Sequence, residues 1–229
     1  MRRLLVYFIT FVTGGVFLGL EIVASRVLAP YFGNSVFVWG SLISVFLLAL
    51  SLGYWLGGIA ADQWPSFRVL SLIVLSAALL VLILPVLHLP LSQVIVDLGL
   101  EFRISVLLAC TLFFLLPSVL MGMVSPFIIK LNATELAVIG QTAGNIYAIS
   151  TAGSIAGALG VSFFLIPAIG TRAILFLSGM ILAGVGLLCL AGHWSFLVSQ
   201  RRSAAISPVQ GRRVLPFQGG GTARDRGQG

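Results

Sequence analysis

Hydrophobic residues in this chain gather into six long runs, near 4–26, 36–61, 68–89, 104–128, 140–167 and 172–192. About 20 apolar residues in helical form cross the hydrocarbon core of a bilayer, and each run is of that order. Lipid offers backbone N–H and C=O groups no partner, so such a run is stable there only as a helix. The pattern predicts an all-α polytopic membrane protein with six transmembrane helices.

The segments between the runs add detail. Residues 91–102 place Leu91, Val94, Ile95, Leu98 and Phe102 on one helical stripe and Gln93, Asp97 and Glu101 on another, which predicts a short helix lying in the outer interface. Pro117 and Pro126 fall inside the fourth run and remove amide donors there, so kinks are expected in that helix. The first run follows Arg2-Arg3, continues to about Leu28 and meets no Ala-x-Ala cleavage site at a suitable distance, which marks a retained helix and not a signal peptide. After Gly192 the composition turns to Ser, Arg, Gln, Gly and Pro. The expected organisation is a membrane domain over 1–193 and a basic, disordered cytoplasmic tail over 194–229.

Small residues recur at helical spacing in two of the runs. The second carries Ala49, Gly53, Gly57 and Ala61; the fifth carries Gly140, Gly144, Ala148, Ala152, Ala156 and Gly160, with Gly153 and Gly157 beside them. Such stripes let a neighbouring helix approach to backbone contact. Each follows a related turn, Gly33-Asn34-Ser35 or Gly140-Gln141-Thr142. These parallels fit a three-helix repeat of inverted topology, and they equally fit coincidence in a chain rich in glycine and alanine.

Composition excludes a soluble domain: 59% of the 229 residues are hydrophobic and 8% charged, with a mean hydropathy of +1.13. The net charge of +7 comes from basic residues that form no single face, which argues against nucleic acid as a partner and for the lipid bilayer. If the first helix enters from the cytoplasm, Arg2, Arg3, Arg68, Lys130 and six tail arginines lie inside, and only Arg26, Arg103 and Arg172 outside. That asymmetry places both termini in the cytoplasm.

Candidate chemistry is sparse. Glu21 is the one acid well inside an apolar run, and ionised there it needs a partner. Arg26 lies about 140° round the same helix, so each of the two is expected to reach a different neighbour or the outer interface. A proton or cation site and a structural ion pair are both open at this point. In the fifth run Gln141, Asn145, Tyr147, Ser150, Thr151 and Ser154 are expected to point into the bundle, as interhelical hydrogen-bond partners or as a substrate path. Glu21, Arg26, Asn145, Tyr147 and Ser150 make the candidate intramembrane polar site. Cys110 and Cys189 fall within apolar runs as small hydrophobes. His88 and His193 belong to opposite membrane ends on this topology, so no metal site is expected. Neither a nucleophile elbow nor a phosphate loop is present, and Gly219-Gly220-Gly221 has no strand before it.

The run Glu21 to Asp62, with its Glu-x4-Arg, Phe-Gly-Asn-Ser and Leu-Gly-x3-Gly-Gly-x2-Ala-Asp elements, resembles the membrane domain of bacterial spermidine-synthase-like integral membrane proteins. Met121-Gly122-Met123-Val124-Ser125-Pro126 and Gly144-Asn145-Ile146-Tyr147-Ala148 through Ile166-Pro167-Ala168-Ile169-Gly170 extend the likeness over residues 5 to about 190. The resemblance implies a transporter-like region in a bacterial inner membrane, one usually joined to a cytoplasmic aminopropyltransferase domain. That domain's glycine-rich cofactor strand and acidic catalytic residues have no counterparts here, so neither catalytic residues nor a cofactor are expected. Two functions follow as expectations. One is a membrane anchor or regulatory subunit for a cytoplasmic synthase-like partner; the other is a transporter-like module for a polyamine or another small cation, alone or with a second membrane subunit.

Overall fold

A computed structural model describes residues 2–132 and 139–206, without the side chains of 2, 3 and 192–206. The predicted tail lies outside the described residues from position 207 onward. The chain divides into two units, Met1–Ser195 and Phe196–Gly229. The second is helical as far as Ile206; the first holds the apolar core.

All regular structure among the described residues is helical. Helix α1 (Arg2–Phe32) ends where Gly33 takes φ 67, a conformation open to a residue without Cβ. Ser35 then caps α2 (Val36–Gln63), its hydroxyl accepting the Val38 amide at 3.4 Å. The Gly33-Asn34-Ser35 turn is therefore as the sequence predicts. Ser66 caps α3 (Phe67–Asp97) in the same way, accepting from the Arg68 amide at 3.2 Å.

Residues 91–97, expected as a separate interfacial helix, are instead the last turns of α3. The helix continues through Pro85 and Pro90 and stops only at Gly99, φ 62. Both prolines interrupt single amide bonds, and the apolar register on either side stays in phase, so the chain has no reason to break before glycine.

The fourth run is a composite: α4 (Phe102–Cys110), a π-helical turn over Thr111–Leu115, α5 (Leu116–Gly122) and α6 (Val124–Asn132). The expected irregularities fall where proline dictates them. The wide turn ends two residues before Pro117, and the α5–α6 break at Met123 lies three before Pro126, where the missing amide and the ring's bulk disturb the preceding turn. Helix α7 (Ile139–Leu159) repeats the device, with a π-helical turn over Gly160–Leu165 just ahead of Pro167 in α8 (Ile166–Ile206).

Five stretches are long and apolar enough to cross a membrane: Leu4–Phe32, Val36–Gln63, Phe67–Asp97, Phe102–Asn132 and Ile139–Ala191. The last is 53 residues long and contains Gly170 at φ 74, ψ 167, a non-helical conformation inside an otherwise helical run.

Glycine decides which helices meet. A Cβ on Gly153 would strike the backbone of Phe11, and one on Gly157 the backbone of Gly15, so α1 and α7 touch main chain to main chain and run parallel. In the second pairing, a Cβ on Gly53 would lie 2.9 Å from the Gly122 Cα, and one on Gly57 2.7 Å from the Met123 Cα. Helix α2 thus runs parallel to α5 and α6. Fully buried Ala49 belongs to the same face. Helix α3 pairs with α8 antiparallel: the Ser71 hydroxyl donates to the Gly186 carbonyl at 2.7 Å, and Gly179 faces Leu82. Gly144, expected as a packing position, has nothing near its missing Cβ. Gly153 and Gly157, expected beside the four-residue series, are the positions in contact, and they share their face with Ser150 and Ser154.

Phe46 sits at the centre of the core, its ring 5.5 Å from Phe17 and 5.9 Å from Phe114 between centroids. Cys110 and Cys189 are fully buried and unpaired, as small apolar side chains would be.

Candidate functional site

The parallel pairs α1–α7 and α2–α5/α6 leave a cavity of about 300 Å³ between them. Helix α1 lines it with Thr13, Gly14, Phe17, Leu18 and Glu21, positions that share one face at 3.6 residues per turn. From α2 come Phe46, Leu50 and Tyr54, each one turn beyond the last. Met121, Gly122 and Ser125 close the third wall. Tyr147, Ser150, Thr151 and Ser154 of α7 form the fourth, again at helical spacing.

The two ends of the cavity differ in chemistry. Because α1 and α2 form an antiparallel hairpin about Gly33-Asn34-Ser35, Glu21 stands near the level of Leu47. Tyr54 then lies two turns along, roughly 10 Å by helical rise. One end therefore holds a carboxylate. The other holds a tyrosine pair, Tyr54 and Tyr147, edge to face with centroids 6.1 Å apart. Phe17, Phe46 and Leu50 make the apolar stretch between.

Hydrogen bonding separates the structural hydroxyls from the available ones. Ser154 donates to the Gly14 carbonyl at 3.0 Å and ties α7 to α1. Thr13 turns back on its own helix, donating to the Ile9 carbonyl at 2.8 Å. Ser125 is only 9% exposed, lines the cavity, and its hydroxyl has no hydrogen-bond partner among the described residues. Its hydroxyl is open to the cavity. Glu21 is partly buried and makes no ion pair among the described residues, where the ion pairs are Arg103–Glu101 at 3.4 Å and Lys130–Asp62 at 2.6 Å.

Of the residues expected to form a polar site, the structure brings Glu21, Tyr147 and Ser150 together and leaves two out. Arg26 is exposed and away from the cavity, as its position round the helix requires. Asn145 is exposed too, and with Gln141 it faces out of the bundle. The expectation that all six polar residues of this run point inward is corrected, because only the 147, 150, 151, 154 set lines the cavity.

Tyr54, Thr13 and Ser125 were not singled out from sequence. Tyr54 and Ser125 come from walls that read as plain apolar helices, and only the neighbouring Gly53 and Gly122 mark where those walls draw close. Among the described residues, no three of His, Cys, Asp or Glu come together as a metal site would need. Glu21 is the one carboxylate on the cavity wall among the described residues. The site can neutralise one positive charge, accept and donate hydrogen bonds at its far end, and cover an apolar body between.

No family model matches this chain, and no curated protein or solved structure matches it either.

Proposed function

We propose that the chain is a six-span, transporter-like module of a bacterial cytoplasmic membrane that binds a small organic cation between its helices. The length of its last apolar stretch supports six crossings. As one straight helix, 53 residues would extend about 80 Å, against about 30 Å of hydrocarbon. Gly170, near its middle, is where the chain turns back. The distribution of Lys and Arg supports placing both termini on the cytoplasmic side.

One observation carries the cation reading: a carboxylate without an ion-pair partner lies on the wall of a cavity inside an apolar bundle. Holding a charge there costs several kcal/mol unless something compensates it, and a bound cation does so. A pure anchor for a synthase-like partner has no use for that cost, whereas a binding module does. The resemblance to membrane domains of spermidine-synthase-like proteins supports an amine as the cation.

The test is calorimetric titration of the purified chain in mild detergent with n-butylammonium. Saturable binding is expected, weakened at least about tenfold in Glu21→Gln. Identical isotherms for the wild type and this variant, with both folded, would refute the assignment.

A further inference from the structure

We propose that the cavity is built for an amphipathic monocation: one ammonium group at Glu21, an apolar body about two helical turns long, and an uncharged hydrogen-bonding end against Ser125 and the tyrosine pair. The inference rests on the cation reading above and narrows it, since that reading admits polyamines and this one does not.

Counting charge comes first. Among the described residues Glu21 is the only acidic side chain on the cavity wall. The other acids among the described residues are spoken for or distant: Asp62 pairs with Lys130 and Glu101 with Arg103, while Asp97 accepts from Gln93 at 3.1 Å. Among the described residues a second ammonium carried into the cavity would therefore meet no anion. Ring faces and hydroxyls return only part of the hydration it gives up, and Tyr54 and Tyr147 already spend an edge and a face on each other.

The layout of the walls comes next. Between the carboxylate and the tyrosine pair the surfaces are Phe17, Phe46 and Leu50, which favour methylene or ring groups over any polar one. At the far end Ser125 is nine-tenths buried with its hydroxyl unpartnered. A hydroxyl in that state favours a ligand group that donates to it or accepts from it. Ser150 and Thr151 of α7 line the same cavity. Cation, apolar span and neutral polar end thus follow one another along a line of roughly 10 Å.

The test uses two probes matched in length and differing in the charge of one end, 6-aminohexan-1-ol and 1,6-diaminohexane, titrated into the purified full chain. The amino alcohol is expected to bind at least about tenfold more tightly than the diamine. Glu21→Gln should weaken the amino alcohol by a similar factor. Ser125→Ala should weaken it several-fold and leave the diamine unchanged, with unfolding midpoints confirming that both variants fold. Equal or tighter binding of the diamine overturns the monocation assignment and leaves the cation site standing. If neither probe binds and n-butylammonium does not bind either, both readings fall together.

Discussion

Ser71 and Ser118 are both buried serines in apolar helices, yet they do opposite things. The Ser71 hydroxyl, 1% exposed, is bonded across to the Gly186 carbonyl and holds α3 to α8. The hydroxyl of Ser118, 0% exposed, has no partner. An interhelical hydrogen bond in a membrane bundle is worth about 0.6 kcal/mol on average and up to about 1.7, while an unmet buried hydroxyl costs about 1–3 kcal/mol. Ser71→Ala is therefore expected to lower the unfolding midpoint in detergent and Ser118→Ala to leave it unchanged or raise it. A lower midpoint for Ser118→Ala would show that its hydroxyl has a partner after all. Sequence carries none of this distinction, since each is a lone serine in a hydrophobic run. Glu21 was legible for the contrary reason: an acid well inside such a run is rare and costly enough to mark itself. Ser125 and Tyr54 carry no such mark, because hydroxyl-bearing side chains are ordinary in membrane helices and only the shape of the cavity gives them a role.

Helices were legible as objects, and their contacts only in part. Length and hydropathy located the apolar helices, because the bilayer sets both, although the fifth and sixth runs fall within the one stretch Ile139–Ala191. The end of α3 was misplaced, since an amphipathic stripe over 91–102 describes the exposed end of a long helix as well as a separate short one. On α7 two small-residue stripes overlap, 140-144-148-152-156 and 150-153-154-157, and spacing alone does not say which one faces a neighbour. The structure chooses the second. Gly53→Leu and Gly157→Leu should each destabilise the bundle by about 1–3 kcal/mol or more, because the added side chain meets backbone that cannot move aside. Gly40→Leu and Gly144→Leu, with nothing within 4 Å of the missing Cβ, should fall within about 0.5 kcal/mol of the parent. Detergent unfolding of the four variants checks this, and equal midpoints would remove the close-contact account.

Across the whole molecule the pairings obey one rule. Exchanging the first three helices with the stretches that follow, α1 for α4–α6, α2 for α7 and α3 for α8, turns the α1–α7 contact into the α2–α5/α6 contact and returns α3–α8 to itself. Both exchanged pairs are parallel glycine contacts, Gly15 to Gly157 and Gly53 to Gly122, and the self-paired one is antiparallel. That pairing is compatible with an inverted three-helix repeat, whose axis would lie in the membrane plane with the cavity between the exchanged pairs. Such a repeat needs three crossings in each half. With the six crossings proposed above, the two termini would share a side. On that proposal the ten-to-three partition of Lys and Arg would make that side the cytoplasm. In intact cells a membrane-impermeant maleimide should label Asp97→Cys, at the end of α3, and should leave Leu215→Cys unlabelled until the cells are opened. Cys110 and Cys189 are fully buried, so the parent chain should stay dark and serve as the blank. Labelling of Leu215→Cys from outside would require an odd number of crossings or an inverted insertion, and either result would dissolve the repeat or reverse the orientation proposed for the cavity.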